Sequence, residues 1–368
     1  MITISLCMIV RDEEAVLARC LESVRGVADE IVVVDTGSVD ATKEIARRFT
    51  DKIYDFVWTD DFSEARNFAF SKGTKDYLFW LDADDVLLEE DREKLLRLKE
   101  TLPADTDAVL RNYNTGFDPQ GRPVFSYFRE RLFRRSCGFL WKGAVHEAVE
   151  ISGNVRYENI SVTHSKLKHP DSDRNLRIYE KQKAHGKPFS PRDLFYYGRE
   201  LYYHRRDSDA AEVLEQFLQD GQGWLENNVE ACHVLSAVYE RMGEKDRALR
   251  TLFRTLTYDS PRAEICCEIG RLMMEKEEYR AAIFWYETAA PQKPDILRGG
   301  VVQPGCYGYI PFLQLCVCCD RLGDYNAAHE YNLRALRIRP NDPAALSNEA
   351  YFQSLLSVSP QFPHTDTR

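Results

Sequence analysis

Up to about residue 110, short apolar runs alternate with segments whose apolar residues recur at helical spacing. Ile2 to Val10 reads as a strand, and Val16, Leu17, Cys20, Leu21 and Val24 then mark a helix with Asp12 as its N-cap. Ile31-Val32-Val33-Val34 is a second strand, followed by a helix facing inward through Ala41, Ile45, Ala46 and Phe49. Ile53 to Trp58 reads as a third strand, Phe62, Ala65, Phe68 and Ala69 as a helix closed by Gly73, and Tyr77 to Leu81 as a fourth strand. Such β-α-β-α alternation predicts a mostly parallel sheet covered by helices. From Asp107 to about His164 the periodicity is poor, and mixed strands and loops are expected to complete the domain.

From about residue 190 the pattern becomes wholly helical and repeats. Arg206 to Ala211, Gly243 to Ala248, Glu277 to Ala282 and Gly323 to Ala328 align as a turn followed by a helix start. Ala248 and Ala282 stand 34 residues apart, the tetratricopeptide period, and a Pro/Gly-rich insertion from Pro291 to Pro304 accounts for the longest step. The small alanines let paired helices approach closely, and Arg339-Pro340-Asn341-Asp342-Pro343 should end the last hairpin. The expected division is an α/β domain over 1–185, helical repeats over 186–358 and a disordered tail over 359–368.

A chain of 368 residues with 44% hydrophobic residues is long enough for two cores. The formal net charge of -10 argues against a broad footprint for nucleic acid or anionic membrane, so an anionic substrate must be held locally. No stretch approaches the length of a membrane span, and the N-terminus lacks the basic start of a signal peptide. A cytoplasmic protein is expected, with its ten cysteines reduced and packed as small hydrophobes. Cys316 and Cys319 formally make a C-x-x-C pair, but Cys266 and Cys267 are adjacent and supply no matching second pair, so helix packing is the expectation there.

In an open parallel sheet, ligands bind beyond the carboxyl ends of the strands, and the acidic residues fall there. Asp35 follows the second apolar run, where it can cap the next helix or accept hydrogen bonds from a base or ribose. Asp82 and Asp84 follow the fourth strand, where two hard carboxylates can hold Mg²⁺ or Mn²⁺ against a diphosphate; a solvated acidic turn is the bland alternative. Arg66, on the preceding helix, can pair with phosphate or with a nearby carboxylate.

The blocks Cys7 to Glu14, Val34 to Asp40, Glu64 to Asn67 and Leu81 to Asp85 resemble those of a glycosyltransferase family 2 domain, in the expected order and over roughly the first 180 residues. The chain is similar to the branch in which this domain is fused to tetratricopeptide repeats, which includes peptide S-glycosyltransferases of the sublancin type. The resemblance implies a GT-A fold and a nucleoside-diphosphate sugar donor, a UDP-sugar first. Asp12 and Asp35 would then contact the nucleoside, Arg66 and Asp82 would hold nucleotide and phosphate, and Asp84 would bind the metal. Trp141 to Glu147 and Val162 to His164 also resemble this branch, implying that His146 and Glu147 line the acceptor side and that His164 completes the metal shell. Relatives often continue with a Gly-aromatic pair where this chain has Ser165. Transfer with inversion needs a base, for which Glu147 is the candidate and His146 the alternative; Glu147 could instead pair with an arginine of the Arg129 to Arg135 cluster, which could itself contact diphosphate. The repeats would bind a peptide, protein or glycan acceptor, or mediate homodimer formation. Two other classes fit parts of the pattern: an interaction scaffold with an inert first domain, and a nucleotidyltransferase, for which Arg11-Asp12-Glu13-Glu14 lacks the glycine-rich phosphate loop.

Overall fold

A computed structural model describes residues 1–117, 123–165, 173–295, 300 and 302–358; the expected tail 359–368 and part of the Pro291 to Pro304 insertion lie outside them. The chain forms two compact units, Met1–Asp193 and Leu194–Arg368.

The first unit runs β1 (Ile4–Val10), α1 (Leu17–Ser23), β2 (Glu30–Asp35), α2 (Thr42–Ala46), β3 (Ile53–Asp55), α3 (Phe62–Lys72), β4 (Tyr77–Trp80), β5 (Asp85–Val86) and α4 (Glu89–Thr101). It continues with β6 (Ala108–Phe117), β7 (Pro123–Arg134), β8 (Trp141–Lys142), β9 (Ala148–Val149), β10 (Val155–His164) and α5 (Arg174–Ala184). Among the described residues the main sheet has the order β3-β2-β1-β4-β7-β6-β10-β5, and β8 and β9 form a separate antiparallel ribbon. β1 pairs in parallel with β2 and β4, and β2 with β3, so the order turns back between β1 and β4. That reversal opens a crevice beyond the carboxyl ends of these strands.

The apolar runs are continuous because β1, β2 and β4 are covered on both faces. Ile4, Leu6, Met8, Phe79 and Leu81 pack with Leu17, Leu21, Ile45 and Leu95 of α1, α2 and α4. Cys7, Val32, Val34, Leu78 and Trp80 meet Ala69 and Phe70 of α3 on the opposite face. This is the expected α/β, GT-A-like arrangement. Two local expectations fail. The third strand is only three residues long. Asp12 does not cap α1, which begins five residues later behind Val16 with no side-chain cap; Asp12 sits in the left-handed region at φ 53° and points its carboxylate at another loop. Gly73 does close α3, where the backbone turns extended, and a Cβ there would lie 2.5 Å from Leu78 Cδ2. At the other end of α3, Asp61 Oδ1 accepts from Ser63 N and Glu64 N.

The poorly periodic segment holds the longest strands. β6 and β7 form an antiparallel pair and β10 runs parallel to β6. The β6–β7 register jumps between Val109↔Leu132 and Leu110↔Glu130, so Arg131 is the extra residue of a bulge.

The second unit is helical: α6 (Pro191–Tyr203), α7 (Asp207–Asp220), α8 (Leu225–Arg241), α9 (Lys245–Arg254), α10 (Ala263–Glu275), α11 (Tyr279–Ala289), α12 (Tyr309–Arg321), α13 (Tyr325–Ile338) and α14 (Pro343–Val358). The four aligned turns lead directly into α7, α9, α11 and α13, and Ala210, Ala248, Ala282 and Ala328 are fully buried. Closest packing falls on glycines: a Cβ on Gly198 would lie 2.6 Å from Leu214, and one on Gly270 2.8 Å from the Tyr286 ring. The Arg339 to Pro343 turn ends α13, after which α14 follows and lays Phe352 against Cys316, Cys319 and Ala328. These cysteines are core residues, as expected. All ten thiols are free, nine are buried, and Cys137 is exposed. Among the described residues, no helix is long and apolar enough to cross a membrane.

Candidate active site at the carboxyl ends of the parallel strands

A cleft of about 990 Å³ opens where β1 and β4 end. Ile9 and Val10 reach it from β1, Thr36 from the residue after β2, and Trp80, Asp82, Ala83 and Asp84 from the end of β4 and its turn. The turn is closed at both levels: Asp85 N donates to Asp82 O at 3.0 Å, and Asp82 N donates to Asp85 Oδ2 at 3.0 Å. Asp85 is thereby folded inward with no exposure, while Asp82 and Asp84 line the cleft.

These neighbouring carboxylates sit in opposite electrostatic settings. Burial would raise the Asp82 pKa, but Arg66, Arg131 and a hydrogen bond from Arg66 Nη2 at 2.8 Å outweigh it and hold the group down to about 2. Asp84 is shifted upward, mainly by burial, with Asp82 and Asp85 adding and His164 opposing. The His164 ring stands at the end of β10, with Nδ1 3.5 Å from Asp84 Oδ1 and 3.0 Å from Tyr113 Oη. Its pKa is raised, first by the Asp85 carboxylate, whose Oδ1 stands 3.6 Å from Nδ1. Ligand atoms of Asp84, Asp85 and His164 lie within 4.8 Å of one another. Crowded acidic oxygens beside an imidazole form a donor set that suits a divalent cation, whose charge would relieve what pushes Asp84 upward. The expected pair Asp84 and His164 is brought together.

Arg66 is buried between Trp80 and Trp141, its guanidinium carbon 4.5 and 5.0 Å from the two ring centroids. Of the two partners weighed for it, carboxylates hold it: Nη2 bonds Asp82, and Nε bonds Glu147 Oε1 at 2.6 Å. Glu147 therefore pairs with Arg66; Arg129 reaches only its backbone carbonyl, at 3.4 Å, and lines the cleft. Asn67, the next residue, clamps the β8 ribbon by exchanging two hydrogen bonds with the Trp141 backbone. The ribbon leads into His146, which lines the cleft in the left-handed region at φ 53°, its backbone carbonyl held by Arg192 Nε.

On the β1–β2 side, Asp35 Oδ1 accepts from Gly37 N and Ser38 N, both at 3.0 Å. It caps no helix, since α2 starts seven residues later. Its Oδ2 is buried with no hydrogen-bond partner, and Asp35 stands behind Thr36 and is not itself among the residues lining the cleft. Asp12 lines the cleft, accepts from Val39 N at 2.8 Å and donates its own N–H to Ser38 Oγ, tying the two loops together.

Several lining residues went unread in the sequence. Tyr113 comes from the aperiodic strand β6, where no local pattern marked it. Arg174, Arg177, Ile178 and Lys181 reach the cleft along one face of α5, and their three- and four-residue spacing was the available signal. Trp58 and Phe62 pack edge to face at 4.8 Å on the same wall.

The model of the family "Glycosyl transferase family 2" matches residues 5–152. A TPR repeat-containing protein of Synechococcus elongatus is 30% identical over 305 residues, covering 81% of this chain and 68% of that protein. The SPbeta prophage-derived glycosyltransferase SunS of Bacillus subtilis is 27% identical over 231 residues, covering 59% of this chain; this chain spans only about half of SunS, 54%. Among solved structures, the C-terminal part of a TPR repeat-containing protein from Cytophaga hutchinsonii matches 50% of this chain and 66% of its own, at TM-score 0.40 and 15% identity.

Proposed function

From the premise that this chain belongs to glycosyltransferase family 2 and carries tetratricopeptide-like repeats, we propose that it transfers a sugar from a UDP-sugar to a peptide or protein acceptor, with inversion and with help from Mg²⁺ or Mn²⁺. The observation that carries the reading is the convergence of Asp82, Asp84 and His164 at one wall of the cleft, beside Glu147.

Asp84 and His164 would hold the cation, which when bound neutralises charge on the departing diphosphate. Asp12, on the cleft wall, suits the donor N–H and O–H groups of a nucleoside, and Asp35 would support it by holding the Gly37 and Ser38 amides of the adjoining loop. Arg129, 5.2 Å from the Trp80 ring, offers a guanidinium to the diphosphate. Arg66 is a positioning residue in this reading: it fixes Asp82 and Glu147 relative to each other. The acceptor nucleophile attacks the anomeric carbon, the bond from that carbon to the phosphate oxygen breaks, and the electron pair leaves with the nucleoside diphosphate. The nucleophile's proton passes to Glu147 Oε2, because Oε1 is occupied by Arg66. His146 lies alongside as part of the acceptor wall. A hexose is the first sugar to test. Nine buried, unpaired thiols suit a reducing cytoplasmic setting. The repeats would hold the acceptor or a second copy of the chain.

The test is a panel of UDP- and GDP-sugars with a peptide library and lysate as acceptors, read by mass spectrometry with Mg²⁺, Mn²⁺ or EDTA. Metal-dependent sugar addition is expected, and Asp84→Ala should lose at least roughly 100-fold in kcat/KM with its circular dichroism unchanged. Full activity in Asp84→Ala would remove the metal site, and failure of the purified chain to bind any donor would favour an interaction scaffold.

A further inference from the structure

We infer that Arg131, Asp85 and Tyr113 form a buried relay that positions His164, fixing its ring with the proton on Nδ1 so that Nε2 carries the lone pair offered to a divalent cation. The inference rests on the metal-assisted transfer proposed above and divides the acidic cluster into ligands and support.

Asp85 is the support. It has no exposure, and both carboxylate oxygens are taken: Oδ2 accepts from Arg131 Nη1 at 2.9 Å and from Asp82 N at 3.0 Å, and Oδ1 accepts from Tyr113 Oη at 2.9 Å. Arg131 reaches it because the β7 bulge turns this residue inward, where its guanidinium carbon lies 3.8 Å from the Trp80 ring centroid and 4.4 Å from that of Tyr113. With no exposure and three hydrogen bonds already accepted, Asp85 lies behind the cleft wall. Asp84 and His164 remain, both partly exposed and both lining the cleft.

Proton counting then sets the ring. A carboxylate oxygen can only accept, so the single Tyr113 hydroxyl proton goes to Asp85. Toward His164 Nδ1, 3.0 Å away, the same hydroxyl can only accept, and Nδ1 must bear the hydrogen. Asp84 Oδ1 at 3.5 Å and Asp85 Oδ1 at 3.6 Å face that nitrogen too and favour a proton there. In the neutral ring the remaining lone pair is on Nε2. A metal-binding histidine held through its other N–H is a general arrangement that fixes both ring orientation and tautomer. The backbone supports the same geometry: β5 pairs with β10 through His164↔Asp85 and Thr163↔Val86, and Tyr113 is registered against Val162. The acidic turn, the histidine and the tyrosine are locked to one another by strand pairing before any side chain bonds.

The experiment reads His164 directly, by ¹⁵N NMR of the histidine rings in the metal-free full chain at about pH 9, above the ordinary imidazole range. The signal is assigned by its loss in His164→Gln. Wild type should show the Nδ1–H tautomer; Tyr113→Phe, which removes the hydroxyl joining Asp85 to the ring, should weaken binding of Mn²⁺ alone by roughly 10-fold or more, with the fold intact by circular dichroism. An Nε2–H tautomer in wild type, or unchanged Mn²⁺ affinity in Tyr113→Phe, would overturn the relay. Absence of Mn²⁺ binding to wild type would count against the metal reading, while the wild-type tautomer still decides the relay by itself.

Discussion

Two arginines on neighbouring strands have no solvent exposure and opposite circumstances. Arg131 meets Asp85 and the Trp80 carbonyl through Nη1, while its Nε and Nη2 lack a partner; Arg111 lies 4.8 Å from the Phe79 ring with Nε, Nη1 and Nη2 all lacking one. Burial pushes the Arg111 pKa down to about 9, the Arg131 charge adds to this, and Glu158 opposes it. An unpaired buried charge destabilises, so Arg111→Met is expected to stabilise the fold by about 1–3 kcal/mol, whereas Arg131→Met strands Asp85 and should cost about 3–5 kcal/mol. Urea unfolding midpoints measure both, and a clear loss of stability in Arg111→Met would show that its charge is compensated. Residues at strand ends were legible because position carries their meaning: Asp82 and Asp84 follow a run of apolar residues and could be placed on the cleft from that alone. Arg66 and Glu147 were visible, but their partnership spans 81 residues and no local pattern encodes it. Arg131 was visible as one of the Arg129 to Arg135 cluster, but its pairing with Asp85 was not, since alternation along β7 says nothing about which residue a bulge will turn inward.

The elements around β1 are tied by one buried carboxylate. Glu30, at the start of β2, accepts hydrogen bonds from Ser5 Oγ, Lys52 Nζ, Thr74 N and Thr74 Oγ1, and so joins β1, β2 and the turn before β4. Burial would raise its pKa, but these bonds outweigh it and bring the value from 4.5 down to about 2. A carboxylate depressed in the folded state stabilises fully above its unfolded value, and that contribution disappears as pH falls from 4.5 toward 2. The stabilisation is at most about 3 kcal/mol, and Glu30→Gln should flatten the stability profile in that window. Chemical denaturation at a series of pH values tests it; an unchanged slope in the variant would mean another group governs. In the repeats, Gly270→Ala gains about 1 kcal/mol in helix propensity but drives a methyl into the buried Tyr286 ring, so a net loss of about 1–2 kcal/mol is expected in thermal melts. Repeat starts were legible because each pairs a turn with a small residue at a helix contact. β6, β7 and β10 were not, because their polar and aromatic residues serve a site and one another in place of a regular apolar face.

At the scale of the whole chain, the change of period from alternating runs to repeated helices announced two architectures, and the cores formed within each unit follow it. A ligand that fits the cleft should stabilise the folded chain by mass action. UDP with Mn²⁺ at one hundred times its dissociation constant is expected to add about 2.7 kcal/mol, visible as a raised melting temperature that EDTA reverses. No shift across UDP, GDP and both cations would speak against a nucleotide site. The distribution of thiols has a practical consequence of its own. Cys137, on a short turn after β7, is the exposed one, and its pKa is raised by partial burial and by Asp107, whereas burial pushes Cys7, Cys20, Cys232, Cys266 and Cys316 up while also shielding them. A maleimide dye applied at mildly alkaline pH should therefore attach at one place on the unaltered polypeptide. The molecule comes with its own optical handle on the first unit, and nucleotide titrations can be followed by fluorescence without engineering a cysteine in or out.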